Sequence, residues 1–356
     1  MRSVIHPRPS PIVAAMYTLR DMDVDVIVVH GPSGCSFMAS RPLENADVRV
    51  VTTGMRDNDL IFGASEPLIN TLKQVEERFH PDTVAVIGTC ASMIIGEDIS
   101  SAIRKAGIGA NVFAVDVHAC MGDNTRGAIK ALEAGRDAGI IDSEECARQI
   151  SLMKAATRLE KDNGMASKDY IKPAVSPTKL HVCKRIAEVL SKGGKVAVVM
   201  DAKKELAYRF ADMFEAVERA RKVLGGEALY IANLDPNKGL PRIRSYCREI
   251  LDELYDEDGV DVRIVGGLDE YSIVGEEMRR AIDEFSPDLT IVLGICHAVP
   301  GLDANDILVT DQPRQLANYL HAGYEWAVGE ISSHSMVMGV HEIVPLETAD
   351  TLRELL

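Results

Sequence analysis

Two cysteines, Cys35 and Cys90, each lie just beyond an apolar run, in the stretches DVDVIVVHGPSGCSF and DTVAVIGTCASMIIGEDI. Both stretches begin as a buried strand, break at glycine and deliver a thiol as the chain turns towards a helix. Thiolates ligate soft transition metals, and a four-iron cluster takes four of them. Two cysteines are half of such a site, and a symmetric pair of chains would supply the other half. A third run ends the same way in VDVHAC, at Cys120. The carboxyl ends of parallel strands share one sheet edge, so Cys35, Cys90 and Cys120 are expected on the same side. Gly31 and Gly34 shape the first turn, since glycine gives backbone freedom and close approach. Free cysteines are also commonly small buried residues beneath loops, and spacing alone leaves that alternative open.

The elements that must position these thiols repeat as strand, then helix. Apolar, β-branched runs occur at Val24–Val29, Val84–Ile87, Val112–Val117, Val196–Met200, Leu229–Ala232, Val262–Val265 and Leu289–Ile295. Helix-favouring charged stretches separate most of them, at Pro67–Phe79, Asp98–Ala106, Lys203–Leu224, Arg242–Tyr255 and Glu276–Phe285. Short continuous apolar strands alternating with amphipathic helices predict an α/β fold of mainly parallel sheets covered by helices on both faces. Ligands of such sheets bind at the carboxyl ends of the strands, near a switch in strand order. The polar, proline-containing stretch DNGMASKDYIKPAVSPT reads as a linker. The expected division is a Rossmann-like lobe over 1–160 that carries the cysteine loops, a linker over 161–179, and Rossmann-like structure over 180–356 lining a cleft.

A chain of 356 residues with 46% hydrophobic content can bury a large core. Neither a signal peptide nor a membrane-length apolar run is legible, so a soluble, cytoplasmic protein is expected. The formal charge of −15 argues against nucleic acid or an anionic membrane as partner. Seven cysteines without a C-x-x-C motif exclude a zinc ribbon, a thioredoxin-like redox pair and the compact ferredoxin spacing. Metal-binding thiols must therefore converge from separate loops. The P-loop signature G-x-x-x-x-G-K-S/T is absent, as are the dinucleotide fingerprint G-x-G-x-x-G after a strand and the nucleophile elbow G-x-S-x-G. ATP hydrolysis, dinucleotide binding and serine hydrolase chemistry by the usual devices are accordingly not expected of this chain.

The second half adds LGICHAVPG, with His297 past a strand end, and ISSHSMVMGVHEIV, with His334 and His341. His297 and His334 are candidate proton donors to a bound substrate; a hydrogen-bonded structural histidine is the plainer alternative for each. His341 precedes an apolar run and is expected to be chemically idle, while Met336 and Met338 read as core. Asp235 and Asp269 follow strands and read first as turn and capping residues, as Glu97 and Asp98 do at a helix start.

Taken in order, HGPSGC, IFGASEPL, GTCASMIIGEDI and VDVHACMGDNTRGA resemble the nitrogenase component-one superfamily, in which an H-G-P-x-G-C loop and a C-x-x-x-x-x-G-D/E-D-I segment hold iron–sulfur ligands at a subunit interface. The resemblance covers most of the chain and is strongest over about residues 5–130. Nitrogenase uses a further cysteine upstream of its H-G-P-x-G-C loop, and residues 1–34 here contain none, which favours a 4Fe–4S cluster over an eight-iron one. IHPRPSPIVAAMYTLRD, MASKDYIKP, ANLDPNKGLPRIRSY and GGLDEY resemble the Ni-sirohydrochlorin a,c-diamide reductive cyclases of coenzyme F-430 biosynthesis.

That resemblance implies a homodimer with Cys35 and Cys90 of each protomer around one 4Fe–4S cluster, Gly31 and Gly34 in the cluster loop, and Cys120 as a possible extra ligand. It implies a nickel tetrapyrrole substrate, reduced by six electrons with closure of a γ-lactam. It also implies an ATP-dependent reductase partner, similar to the nitrogenase iron protein, with its own 4Fe–4S cluster. Three alternatives stand beside it: another nitrogenase-like reductase of a tetrapyrrole or small molecule, a non-catalytic scaffold for metal-cluster assembly, and a two-lobed binding protein with ordinary buried cysteines.

Overall fold

The computed structural model describes residues 10–163, 176–204, 206–330 and 339–356. The chain divides into two compact units, Met1–Met165 with Leu240–Arg242, and Ala166–Gly239 with Ile243–Leu356. Each is built on one parallel sheet, so the fold is α/β.

The first unit runs α1 (Pro11–Asp21), β1 (Val26–Val29), a 3₁₀ turn (Ser33–Cys35), α2 (Phe37–Glu44), β2 (Arg49–Thr52), α3 (Asp57–Phe62), α4 (Ser65–Phe79), β3 (Thr83–Ile87), α5 (Cys90–Ile94), α6 (Ile99–Ala106), β4 (Asn111–Val115), α7 (Asn124–Asp137) and α8 (Ser143–Asn163). Its sheet has the order β2-β1-β3-β4 with every pairing parallel. The apolar stripe of α4, Leu68, Ile69, Leu72 and Val75, packs with Ala102 and Ala106 of α6 on Val26, Val28, Val84 and Val86. This 3.6-residue spacing on a continuous apolar strand explains the layer. On α7, Gly127 lets Pro11 approach so closely that a Cβ there would lie 2.6 Å from its carbonyl carbon.

The chain leaves β1 for β2 on one side and returns to β3 on the other. The strand order therefore switches between β1 and β3. Register places Val29 level with Ile87, and Ile87 level with Val115. The carboxyl ends of β1, β3 and β4 thus form one edge, and the turns that leave it hold Cys35, Cys90 and Cys120.

The second unit contains α9 (Pro177–Ser191), β5 (Lys195–Asp201), α10 (Leu206–Phe210), α11 (Asp212–Leu224), β6 (Glu227–Ala232), α12 (Pro241–Asp258), β7 (Val262–Ile264), α13 (Gly275–Phe285), β8 (Leu289–Gly294), a 3₁₀ turn (Cys296–Ala298), β9 (Ile307–Thr310), α14 (Pro313–His321), β10 (Ala327–Gly329) and α15 (Glu347–Arg353). The sheet order is β10-β9-β8-β5-β6-β7, again all parallel. Its switch lies between β5 and β8, where Asp201 is level with Gly294.

Three strands were not legible as apolar runs: β2, β9 and β10. Each has four residues or fewer, and β2 and β10 are sheet edges whose one exposed flank needs no long apolar run. The stretch Lys203–Leu224 forms two helices, not one. The expected linker begins inside α8 and ends inside α9, and its residues 164–175 lie outside the described part. Among the described residues no helix is long and apolar enough to cross a membrane.

Candidate metal centre

Two turns meet at the switch point. After β1, the His30 amide donates to the Ile87 carbonyl at 2.8 Å, and the Gly31 amide donates to Thr53 Oγ1 at 3.1 Å. The chain then tightens into the one-turn segment Ser33–Cys35, with the Cys35 amide on the Pro32 carbonyl at 3.0 Å. After β3, Thr89 caps α5, whose first residue is Cys90. The Thr89 hydroxyl also donates to the His30 carbonyl at 3.0 Å, which ties the Cys90 turn directly to the HGPSGC turn.

Cys35 and Cys90 are both partly accessible. Burial, and then the neighbouring Cys90, push the Cys35 thiol above its ordinary range. A bound cation would favour the thiolate of Cys35 over its thiol.

The turn after β4 reaches the same place. The strand ends at Val115, two residues before the end of the apolar run, so residues 116–120 are free to fold over the edge. The Ala119 amide donates to Cys90 Sγ at 3.2 Å. A ring nitrogen of His118 and the sulfurs of Cys90 and Cys120 all lie within 4.8 Å of one another. Cys120 is exposed, and its hydrogen bond with Cys90 holds its thiol above the ordinary range. His118 carries a solvent-shielded Nδ1 without a hydrogen-bond partner.

A family model described as nitrogenase component 1 type oxidoreductase matches residues 10–216. The chain belongs to this family. Three proteins named Ni-sirohydrochlorin a,c-diamide reductive cyclase complex, component CfbD, are its relatives. The one from Methanothermobacter thermautotrophicus is 44% identical over 98% of this chain and 98% of its own. That from Methanosarcina acetivorans is 44% identical over 99% of this chain and 97% of its own. The Methanocaldococcus jannaschii protein is 41% identical over 96% of both.

In this nitrogenase component 1-type chain the remaining candidates are spread more widely. Gly31 abuts Thr89, whereas Gly34 has nothing within 4 Å of where a Cβ would sit. His297 lies in the second unit, on the short turn after β8, with its amide donating to the Tyr319 hydroxyl at 3.1 Å. Burial, and then Lys203, hold His297 below the ordinary histidine range. His334, Met336 and Met338 lie outside the described residues. His341 is largely exposed and pairs with Glu249 at 3.1 Å. Asp235 accepts from the Asn237 amide and Asp98 from the Ser101 amide, the turn and capping roles expected of them. Glu97 instead accepts from the Ala64 amide at 2.8 Å, which joins the turn after α5 to the start of α4.

Among the residues that escaped the sequence reading are His118 and Asp201. His118 is the first residue of an H-x-C triplet, and that spacing was its only signal. Asp201 ends β5, is fully buried, and completes no hydrogen bond through either carboxylate oxygen. Nothing in MDAKKE marks it as different from a surface acid.

Proposed function

We propose that this chain is the catalytic component of a Ni-sirohydrochlorin a,c-diamide reductive cyclase, which reduces a nickel tetrapyrrole with closure of a γ-lactam, and that two copies share one 4Fe–4S cluster. The observation that carries the cluster is the meeting of the Cys35 and Cys90 turns at the β1/β3 switch point, level in register and joined through Thr89 and His30. The names and full-length identity of the relatives support the substrate class and reaction.

The donor set fits the cluster. Cys35 and Cys90 would hold it from each copy, thiols being the ligands that iron–sulfur clusters take. Bound there, the cluster supplies single electrons at low potential. A second copy also suits the surroundings. Phe37, Ile61, Phe62 and Ile94, on α2, α3 and α5, are 77%, 71%, 85% and 75% exposed. Large apolar side chains so exposed around half a ligand set are the mark of an interface.

The chain's own contribution is positional. Gly31 and Gly34 shape the cluster loop, and the Ala119 amide orients the Cys90 sulfur. His297 and His334 are the residues proposed to deliver protons to the substrate, and Cys120 lies where an extra ligand would stand. Electrons come from a CfbC-like, ATP-dependent iron–sulfur reductase, in keeping with the missing P-loop.

The deciding experiment measures iron, EPR spectrum and oligomeric state of the anaerobically purified protein. One four-iron cluster per two chains, lost in Cys35→Ala and in Cys90→Ala, is expected. Either variant keeping its full iron content overturns the cluster assignment. A reconstituted, cluster-loaded protein that gives no lactam product with reductase, ATP and Ni-sirohydrochlorin a,c-diamide overturns the reaction.

A further inference from the structure

The three-donor group at the β3/β4 edge belongs to one chain. Cys90 opens α5, while His118 and Cys120 come from the turn after β4, and all three are in the first unit. Zinc-class ions bind sulfur at about 2.3 Å and imidazole nitrogen at about 2.0–2.1 Å, so tetrahedral donors stand roughly 3.5–3.8 Å apart. Donors within 4.8 Å of one another need only small side-chain rotations to close on an ion. Cys120 is exposed and sits in a turn outside regular structure, where such rotation meets little resistance.

Two observations independent of this proximity point to a ligand. His118 hides Nδ1 from solvent without a partner, an arrangement that leaves a polar atom unsatisfied unless something binds there. The Ala119 amide, between the two side chains, donates to Cys90 Sγ at 3.2 Å. Backbone donors of this kind orient metal-bound sulfur. The donor chemistry is specific as well. Two thiols and one imidazole suit a borderline-soft divalent ion, zinc or ferrous iron, over calcium or magnesium, which take oxygen.

We propose that Cys90, His118 and Cys120 bind one divalent transition-metal ion within a single chain, with a fourth coordination position left open. Binding exchanges two thiol protons for the ion, so each equivalent bound releases up to two protons. The site differs from the proposed shared cluster in needing neither Cys35 nor a second copy. Because Cys90 belongs to both, ion and cluster exclude each other. A chain without its cluster then holds a single metal ion at the place where the cluster is to be formed.

The probe is cobalt(II), titrated anaerobically into the full-length, metal-free protein and followed by its thiolate-to-metal charge-transfer band. One equivalent per chain is expected, with the same affinity in wild type and in Cys35→Ala. Loss of groups that merely support a ligand costs about 10–100-fold in affinity, so His118→Ala is expected to weaken binding by at least that much. Cys120→Ser should lose about half of the charge-transfer intensity, one thiolate of two. His118→Gln and thermal melts of each variant separate a lost ligand from a lost fold: weakened cobalt binding at unchanged melting temperature supports the site. Cobalt binding that survives both His118→Ala and Cys120→Ser unchanged overturns it. So does binding lost in Cys35→Ala, which would place the ion in the shared centre. Failure of the cluster experiment above leaves this outcome unaffected, since cobalt binding is read without cluster or substrate.

Discussion

A Cβ built on Gly31 would lie 2.6 Å from Thr89 Cγ2 and closer still to its hydroxyl oxygen. Thr89 is also the cap of the helix that begins with Cys90, and its hydroxyl holds the His30 carbonyl. The glycine of one cysteine turn thus sets the position of the other cysteine. Gly31→Ala must push Thr89 away, with an overpacking cost of about 1–3 kcal/mol and a displaced Cys90. A lower urea midpoint together with reduced iron retention is expected. Gly34 is the control: nothing stands within 4 Å of its Cβ position, and Gly34→Ala should remain within about 0.5 kcal/mol of wild type. Iron loss in Gly34→Ala at unchanged stability would place the obstacle outside the chain, in a cluster or a second copy.

The seven thiols divide into two classes that a labelling reagent can count. Cys146, Cys183, Cys247 and Cys296 are buried, and burial pushes Cys183 and Cys247 each up to about 12. Cys296 is held up by complete burial, with Sγ donating to the Val292 carbonyl at 3.2 Å. Cys35 and Cys90 are partly accessible and Cys120 is exposed. Since the thiolate at an accessible site is what reacts, the folded, metal-free protein is expected to titrate three thiols rapidly with Ellman's reagent. All seven should react in denaturant. Rapid reaction of a fourth thiol in the native state would show that one of these four, Cys146 in the first unit or Cys183, Cys247 or Cys296 in the second, is open to solvent.

His30 supplies an acid-sensitive element in the first unit. It is fully buried, its Nδ1 stands 3.2 Å from Thr53 Oγ1, and burial lowers it to about 4 against the opposing pull of Asp59. An unfolded histidine takes up its proton near 6.5. Between 6.5 and 4 the unfolded chain therefore binds a proton that the native chain refuses, and stability falls with pH. The wild-type urea midpoint should drop across this window more steeply than that of His30→Gln. Parallel curves for the two proteins would remove His30 from the account.

How much of this was legible in the sequence depends on what each residue answers to. The cysteine turns could be read because a strand's apolar run fixes where the strand ends, and parallel pairing fixes which edge the next residues occupy. The place of Cys35 and Cys90 on one edge needed nothing more, whereas their expected part as ligands rested on the family resemblance of the motifs around them. The partnership of Cys90 with His118 depends on β4 stopping at Val115, two residues before its apolar run does, and on the conformation of an irregular turn. Neither has a periodicity to read. Thr53 and Thr89 were invisible for another reason. They are ordinary strand-end and capping residues whose partners, Gly31 and His30, are 22 and 59 positions away. Asp201 fails in the same way, since a strand-terminal acid becomes unusual only when β8 pairs alongside and encloses it.

That enclosure gives Asp201 a measurable signature of opposite sign to that of His30. Gly294, directly opposite in the β5/β8 pairing, has φ of +93°, and a Cβ there would lie 3.2 Å from the Asp201 carbonyl carbon, so the two backbones are locked together. Burial pushes the Asp201 carboxyl from its ordinary 3.8 to about 7. The Ser272 hydroxyl and the Lys203 ammonium pull the other way, without a completed hydrogen bond to either oxygen. The native chain thus keeps a proton that the unfolded chain gives up above 3.8. Its stabilising contribution is fully present below 3.8, declines as pH rises towards 7, and is gone above 7. Asp201→Asn removes the titration while keeping the shape. The variant is expected to melt higher than wild type at pH 8, with the difference shrinking as pH falls towards 4. A difference that stays constant across this range, or a variant less stable than wild type at pH 8, would show that the carboxylate is satisfied in solution and titrates as an ordinary acid.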